Sequence, residues 1–174
     1  MRTRRELDPA DATNDAACRE ATLKLLDRAR RPRADLQRRL RDKGFAAVTI
    51  TAVLGRLAEV GVVDDVEYAR AWLAGRWGRR PSGWRRLQQE LRGKGIADED
   101  VERARALLAE RGGAPDEAES AARLVAKAGP RLATLDPHQR QQRLYSLLAR
   151  RGYDSATIRQ VLAIGEPLES GAEG

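Results

Sequence analysis

The sequence has few aromatic residues, a single cysteine and no long apolar run. Aromatics make up 4% of the 174 residues, so a large core packed with Phe and Tyr is not expected. The one cysteine, Cys18, excludes an internal disulfide and a thiolate metal cluster. No apolar stretch approaches the ~18 residues of a membrane span, and the N-terminal residues lack the apolar segment of a secretory signal. We therefore expect a cytoplasmic protein with no membrane partner.

The usual motifs of catalysis are also missing. The one histidine, His138, is far from Cys18 in the sequence, and neither a phosphate-binding loop nor a dinucleotide fingerprint is present. Asp64 and Asp65 are adjacent carboxylates that could hold a magnesium ion, but helix capping accounts for them without one. The sequence thus predicts no enzyme activity, no metal and no cofactor.

Positive charge is abundant and unevenly distributed. The formal net charge is +7, while residues 1–15 carry −1 and residues 166–174 carry −3, which leaves +11 on the body between them. A body this basic indicates a polyanionic partner or a partner surface rich in carboxylates. The alternative is that arginine serves only as a solvated, helix-forming residue in a chain of biased composition.

Leu, Ala, Arg and Glu dominate the sequence, and this composition favours helices throughout. One phrase occurs three times: LRDKGFAAVTI at Leu40–Ile50, LRGKGIADEDV at Leu91–Val101 and LARRGYDSATI at Leu148–Ile158. In each copy two leucines at helical spacing precede a cation and a glycine, and an apolar residue follows the glycine. We interpret each copy as a helix, a left-handed glycine turn at Gly44, Gly95 or Gly152, and a second helix. Asp98 and Ser155 are predicted to cap the second helix in two copies.

Two helices cannot bury both of their apolar faces alone, so each copy is expected to use a third helix that precedes it. The sequence predicts an all-α protein: an elongated array of three tandem three-helix units at residues 16–61, 62–112 and 113–165. The predicted tails, 1–15 and the acidic 166–174, are expected to be disordered.

Basic clusters at turns and helix ends are the candidate contact surface for an anionic partner. Trp84 lies within the most basic cluster, where its ring could stack on a base, enter a partner's pocket or belong to the core. The predicted contact residues are Arg38, Arg41, Lys43, Arg76, Arg79, Arg80, Trp84, Arg85, Arg86, Lys94, Arg150 and Arg151.

The middle of the chain resembles the RecX family of bacterial regulators of the RecA recombinase. The run GVVDDVEYARAWLAGRW followed by GWRRLQQELRGKGI matches the family pattern, and the resemblance extends from about Ala17 to Ile164. The matching residues are Gly61, Asp64, Asp65, Tyr68, Ala69, Trp72, Arg76, Glu90, Leu91, Lys94, Gly95 and Ile96.

The resemblance implies a protein that binds the RecA filament on single-stranded DNA. Such proteins restrain filament growth, strand exchange, ATP hydrolysis and stimulated repressor cleavage. We expect a monomer that contacts the RecA filament and single-stranded DNA, with duplex DNA as a further candidate partner. The alternative is a helical protein that binds DNA directly and acts without a recombinase.

Overall fold

A computed structural model describes residues 11–77, 81–113 and 116–163, and every regular element in these ranges is helical. Short 3₁₀ helices occupy Asp11–Thr13 and Gly129–Leu132. The α-helices are α1 (Asp15–Arg28), α2 (Arg33–Lys43), α3 (Ala47–Glu59), α4 (Asp65–Trp77), α5 (Trp84–Arg92), α6 (Asp98–Glu110), α7 (Glu117–Ala128), α8 (Pro137–Arg150) and α9 (Ser155–Leu162). The predicted all-α class is confirmed.

The described residues form two compact units. The first unit comprises the described residues up to Trp72 together with Glu90–Glu110. The second unit comprises Leu73–Gln89 together with the described residues from Arg111 onward. In the first unit α1, α2 and α3 pack on one another around a buried core that includes Leu36, Leu40, Ile50 and Leu54. In the second unit α7, α8 and α9 enclose Ala121, Leu148, Tyr153 and Ile158. The predicted boundaries of the three-helix units and the predicted tails stay predictions.

Helical structure begins before residue 16, where the sequence placed the end of the N-terminal tail. A 3₁₀ helix covers Asp11–Thr13, and the Asn14 side chain accepts a hydrogen bond from the Ala17 N–H at 3.0 Å. This bond satisfies one of the free N–H groups in the first turn of α1. The predicted C-terminal tail, 166–174, lies outside the described residues.

The three glycine turns are built alike. Gly44, Gly95 and Gly152 have φ angles of 101°, 82° and 85°. In each turn the N–H of the following apolar residue donates to the carbonyl of the leucine five positions earlier, at 3.2 to 3.3 Å. The glycine N–H donates to the next carbonyl along the helix, which completes a Schellman motif. The sequence interpretation of a left-handed turn with an apolar residue folded back is therefore confirmed.

The helix after the turn starts differently from the prediction. Asp98 and Ser155, the expected caps, are the first helical residues of α6 and α9. Asp154 caps α9, since its side chain accepts the Thr157 N–H at 2.7 Å. Asp154, one position before Ser155, has the extended backbone that an N-cap requires. It therefore caps α9 in place of the serine.

The adjacent carboxylates Asp64 and Asp65 cap two different helices. Asp64 accepts the Glu67 N–H at 2.8 Å and caps its own helix, α4. Asp65 instead accepts the Arg33 N–H at 2.8 Å, at the start of α2, where the N-cap residue is a proline with no side-chain bond of its own. Capping thus explains both carboxylates, as the sequence analysis favoured over magnesium binding.

The same division recurs in the second unit. Asp116 accepts the Ala118 N–H at 2.8 Å and caps α7, whereas the Glu117 carboxylate accepts the N–H of Trp84 at the start of α5. Trp84 stands 51 positions after Arg33. The first residue of one helix therefore caps an earlier helix, in the same way in both units.

A candidate interface for an anionic partner

The glycine turns contact the helix starts that these carboxylates cap. A Cβ added to Gly95 would lie 2.4 Å from the Cβ of Ala34, in the first turn of α2. A Cβ added to Gly152 would lie 2.5 Å from the Cβ of Arg86, in the first turn of α5. These close approaches fix the starts of α2 and α5, and with them the cations that those turns carry.

The predicted contact cations of the first unit lie on its surface, and two of them have partners. Arg38 pairs with Asp35, and Lys94 Nζ lies 5.9 Å from the centroid of the Trp72 ring. Arg41 and Lys43 are exposed near the end of α2, where cations also suit the negative end of the helix dipole.

A groove of about 560 Å³ in the first unit is rich in arginine, but its charge is largely compensated. Asp35 lines it and accepts bonds from Arg31 at 3.0 Å and from Arg39 at 2.8 Å, as well as from Arg38. Burial opposes ionisation of Asp35, yet the bonds from the arginines outweigh it, so the pKa of this carboxyl is lowered. Arg30 and Arg92, also in the lining, pair with Glu67 and Asp98.

The second unit has a groove whose charge is not compensated. Its volume is about 790 Å³, and apolar side chains that include Leu124, Leu132 and Leu147 line it together with six cations. Among the described residues no carboxylate lines the groove, and none of the six cations forms an ion pair with another residue of this part of the chain. The six are Arg123, Lys127, Arg131, Arg143, Arg150 and Arg151.

The structure brings together only part of the predicted contact set. Arg150 and Arg151 line the second unit's groove, and Arg85 and Arg86 are exposed in the first turn of α5. Trp84 is 9% exposed. The sequence left stacking on a base, binding in a partner's pocket and core packing open for it, and the structure shows core packing. Arg76 is half-buried in α4, and Arg79 and Arg80 lie outside the described residues.

Sequence reasoning missed four cations of the groove: Arg123 and Lys127 on α7, Arg131 in the second 3₁₀ helix, and Arg143 on α8. They escaped notice because the prediction followed runs of consecutive basic residues. The signal was present as helical spacing, since Arg123 and Lys127 are four positions apart, as are Arg143 and Leu147.

The motif residues are mostly structural. Ala69, Leu91 and Ile96 are buried, and Tyr68 lines the first unit's groove. Gly61 has a φ of 70° and closes the end of α3. Glu90 and Trp72 are half-buried.

The described residues contain no group of three or more His, Cys, Asp or Glu side chains that could hold a metal ion. None of the described helices is long and apolar enough to span a bilayer.

Three family models match the chain in succession: the first three-helix domain of RecX at residues 18–57, the second at 64–104 and the third at 115–162. The chain belongs to the RecX family. The regulatory protein RecX of Thermobifida fusca is 39% identical over 160 residues, which covers 91% of this chain and 82% of that protein. RecX of Prosthecochloris aestuarii is 35% identical, over 75% of this chain and 81% of the relative.

Solved structures agree on the fold of this RecX-family chain. The crystal structure of RecX from Lactobacillus salivarius has a TM-score of 0.77 at 20% identity, and the match covers 88% of this chain and 96% of that chain. A second crystal structure of a regulatory protein RecX gives a TM-score of 0.74 at 23% identity, over 90% of this chain and 79% of the other. The prediction of tandem three-helix units is confirmed, and a regulatory role follows from the family.

Proposed function

We propose that this protein binds the RecA filament on single-stranded DNA and inhibits or modulates its recombinase, ATPase and coprotease activities. The observation that carries the proposal is the succession of three RecX domains along one chain. In this proposal the protein acts in the cytoplasm as a monomer, and it has neither a cofactor nor a catalytic step of its own.

Several weak contacts on one chain suit a polymeric target. If linked domains engage successive protomers, each additional contact becomes intramolecular and raises the overall avidity far above any single affinity. The exposed cations of both units supply such contacts. We propose Arg41 and Lys43 in the first unit, Arg85 and Arg86 in α5, and the groove of the second unit as the contacting surfaces.

Direct binding to DNA is the second candidate, and the uncompensated cations of the second unit's groove favour it. A protein that binds phosphates loses affinity as salt rises, with a log–log slope of about −0.7 per phosphate neutralised on single strands. The two candidates therefore differ in whether tight binding requires the recombinase.

Fluorescence anisotropy of a labelled oligothymidine separates them. The protein is added to the oligonucleotide alone and to the same oligonucleotide coated with RecA and a nonhydrolysable ATP analogue. We expect much tighter binding to the coated strand. Equal affinity for bare and coated DNA, with steep salt dependence for both, would replace the filament proposal by direct DNA binding.

A further inference from the structure

We propose that the groove of the second unit is a docking site for the chain's own acidic segment, residues 164–174. The described residues of the groove combine six cations with an apolar lining and include no carboxylate to balance them. A ligand that fits it carries several negative charges and at least one apolar group.

The apolar lining argues for a polypeptide over a nucleic acid. Leu124, Leu132 and Leu147 line the groove, and none of the described residues that line it is aromatic. Proteins that bind single strands usually present aromatic rings on which bases stack, whereas an aliphatic lining suits an aliphatic side chain. The groove therefore favours an acidic peptide with a leucine-like residue among its carboxylates.

Residues 164–174 have this chemistry. They read IGEPLESGAEG, with Glu166, Glu169 and Glu173 and no cation. Leu168 lies between the first two glutamates, so that an apolar side chain is flanked by carboxylates. The segment is therefore the complement of the groove in charge.

The tether makes the contact feasible. The segment follows α9, which packs on both α7 and α8, the helices that carry four of the six groove cations. A fully extended segment of this length reaches up to about 36 Å. A short tether also sets an effective concentration on the order of millimolar, so a weak charge-assisted contact is occupied in cis. An anionic partner must then displace the segment.

Paramagnetic broadening in the full-length chain tests this contact directly. A spin label is attached to Ser170→Cys, while Cys18 remains because burial shields its thiol and raises its pKa. We expect broadening of amide signals around Leu124 and Leu147 at low salt. Replacement of the three tail glutamates with glutamine should remove it.

The matched control changes Glu59, Glu99 and Glu110 to glutamine in the first unit. These three side chains are exposed, and the variant has the same net charge as the tail variant. The control should keep the broadening. Uniform broadening, none at all, or equal loss in both triple variants would overturn the proposal.

Binding of an unlabelled oligothymidine supplies a second readout. Phosphates can pair with the groove cations through charge alone. The tail variant should therefore bind the oligonucleotide more tightly than the control variant, because the competing tail carboxylates have been removed. Equal affinities, with the same groove amides shifted in both variants, would show a nucleic-acid groove that the tail does not occupy, and would contradict the proposal.

Discussion

At the scale of single residues, two glycines with the same backbone conformation differ in what surrounds them. Gly61 and Gly95 both have positive φ, at 70° and 82°. A Cβ at Gly61 meets nothing within 4 Å, whereas one at Gly95 would lie 2.4 Å from the Cβ of Ala34. Both belong to the first unit, so they form a matched pair.

Alanine at each of these positions separates backbone strain from collision. Gly61→Ala should lower the free energy of unfolding by about 1 kcal/mol, the usual cost of a side chain in the left-handed region. Gly95→Ala should cost more, because the start of α2 must also move. Urea denaturation of both variants measures the difference, and equal losses would contradict the close approach of the turn to α2.

The position and the charge of the Asp65 carboxylate have opposite effects on the stability of the folded chain. Its side chain accepts the Arg33 N–H, but burial raises its pKa, and Asp100 and Asp64 add to the rise. The native state therefore binds this proton more tightly than the unfolded state does. The contribution of Asp65 to stability is then greatest at low pH and decreases as pH rises from the ordinary aspartate value, about 3.9, through the raised pKa.

Substitutions at Asp65 test this balance. Asp65→Ala removes the cap of α2 and should cost about 1 kcal/mol at pH 7. Asp65→Asn keeps an acceptor oxygen without the buried charge, so at pH 7 it should be at least as stable as the native chain. Its relative advantage should fade below about pH 4, where the native carboxyl is protonated in both states. A large loss in Asp65→Asn at pH 7 would show that the charge itself holds α2.

At the scale of helices, a carboxylate at the start of one helix caps another. Asp116 caps α7, and its neighbour Glu117 caps α5 at Trp84. The pair Asp64 and Asp65 does the same for α4 and α2. In each unit a carboxylate of one helix therefore accepts a backbone N–H at the start of an earlier helix, α2 or α5, and fixes that helix start. The N-cap residue of α2 forms no side-chain cap of its own.

Amide hydrogen exchange can resolve the two roles at the start of α7. Glu117→Ala should accelerate exchange of the Trp84 amide and leave that of Ala118 unchanged. Asp116→Ala should have the reverse effect. Acceleration of both amides by either substitution would mean that the two carboxylates act as one cluster and not on separate helices.

At the scale of the whole molecule, the sequence was sufficient for the fold class and the repeated turn. The leucine spacing, the cation and the glycine that make a Schellman turn are local, and they can be read from eleven residues. Capping of α2 by Asp65 could not be read in this way, because it joins residues 32 positions apart. The groove of the second unit was missed for the same reason, since its cations come from three separate elements.

The charge of the chain also has to be understood at this scale. Counting cations gives both units a basic surface, but the acidic partners of Arg30, Arg31 and Arg92 compensate much of it in the first groove. In the second groove the cations have no such partners among the described residues. Net charge therefore indicates an anionic partner, whereas only the structure indicates which surface is free to meet it.

RecA-catalysed ATP hydrolysis on single-stranded DNA tests most directly the proposal that this RecX-family chain regulates the RecA filament. The chain is added well below the RecA concentration, alongside Arg143→Ala/Arg150→Ala and the control Arg19→Ala/Arg103→Ala, which removes two exposed cations elsewhere. We expect the native chain and the control to inhibit hydrolysis and the groove variant to inhibit it less. Unchanged hydrolysis with the native chain, even at concentrations that saturate bare DNA, would contradict the proposal.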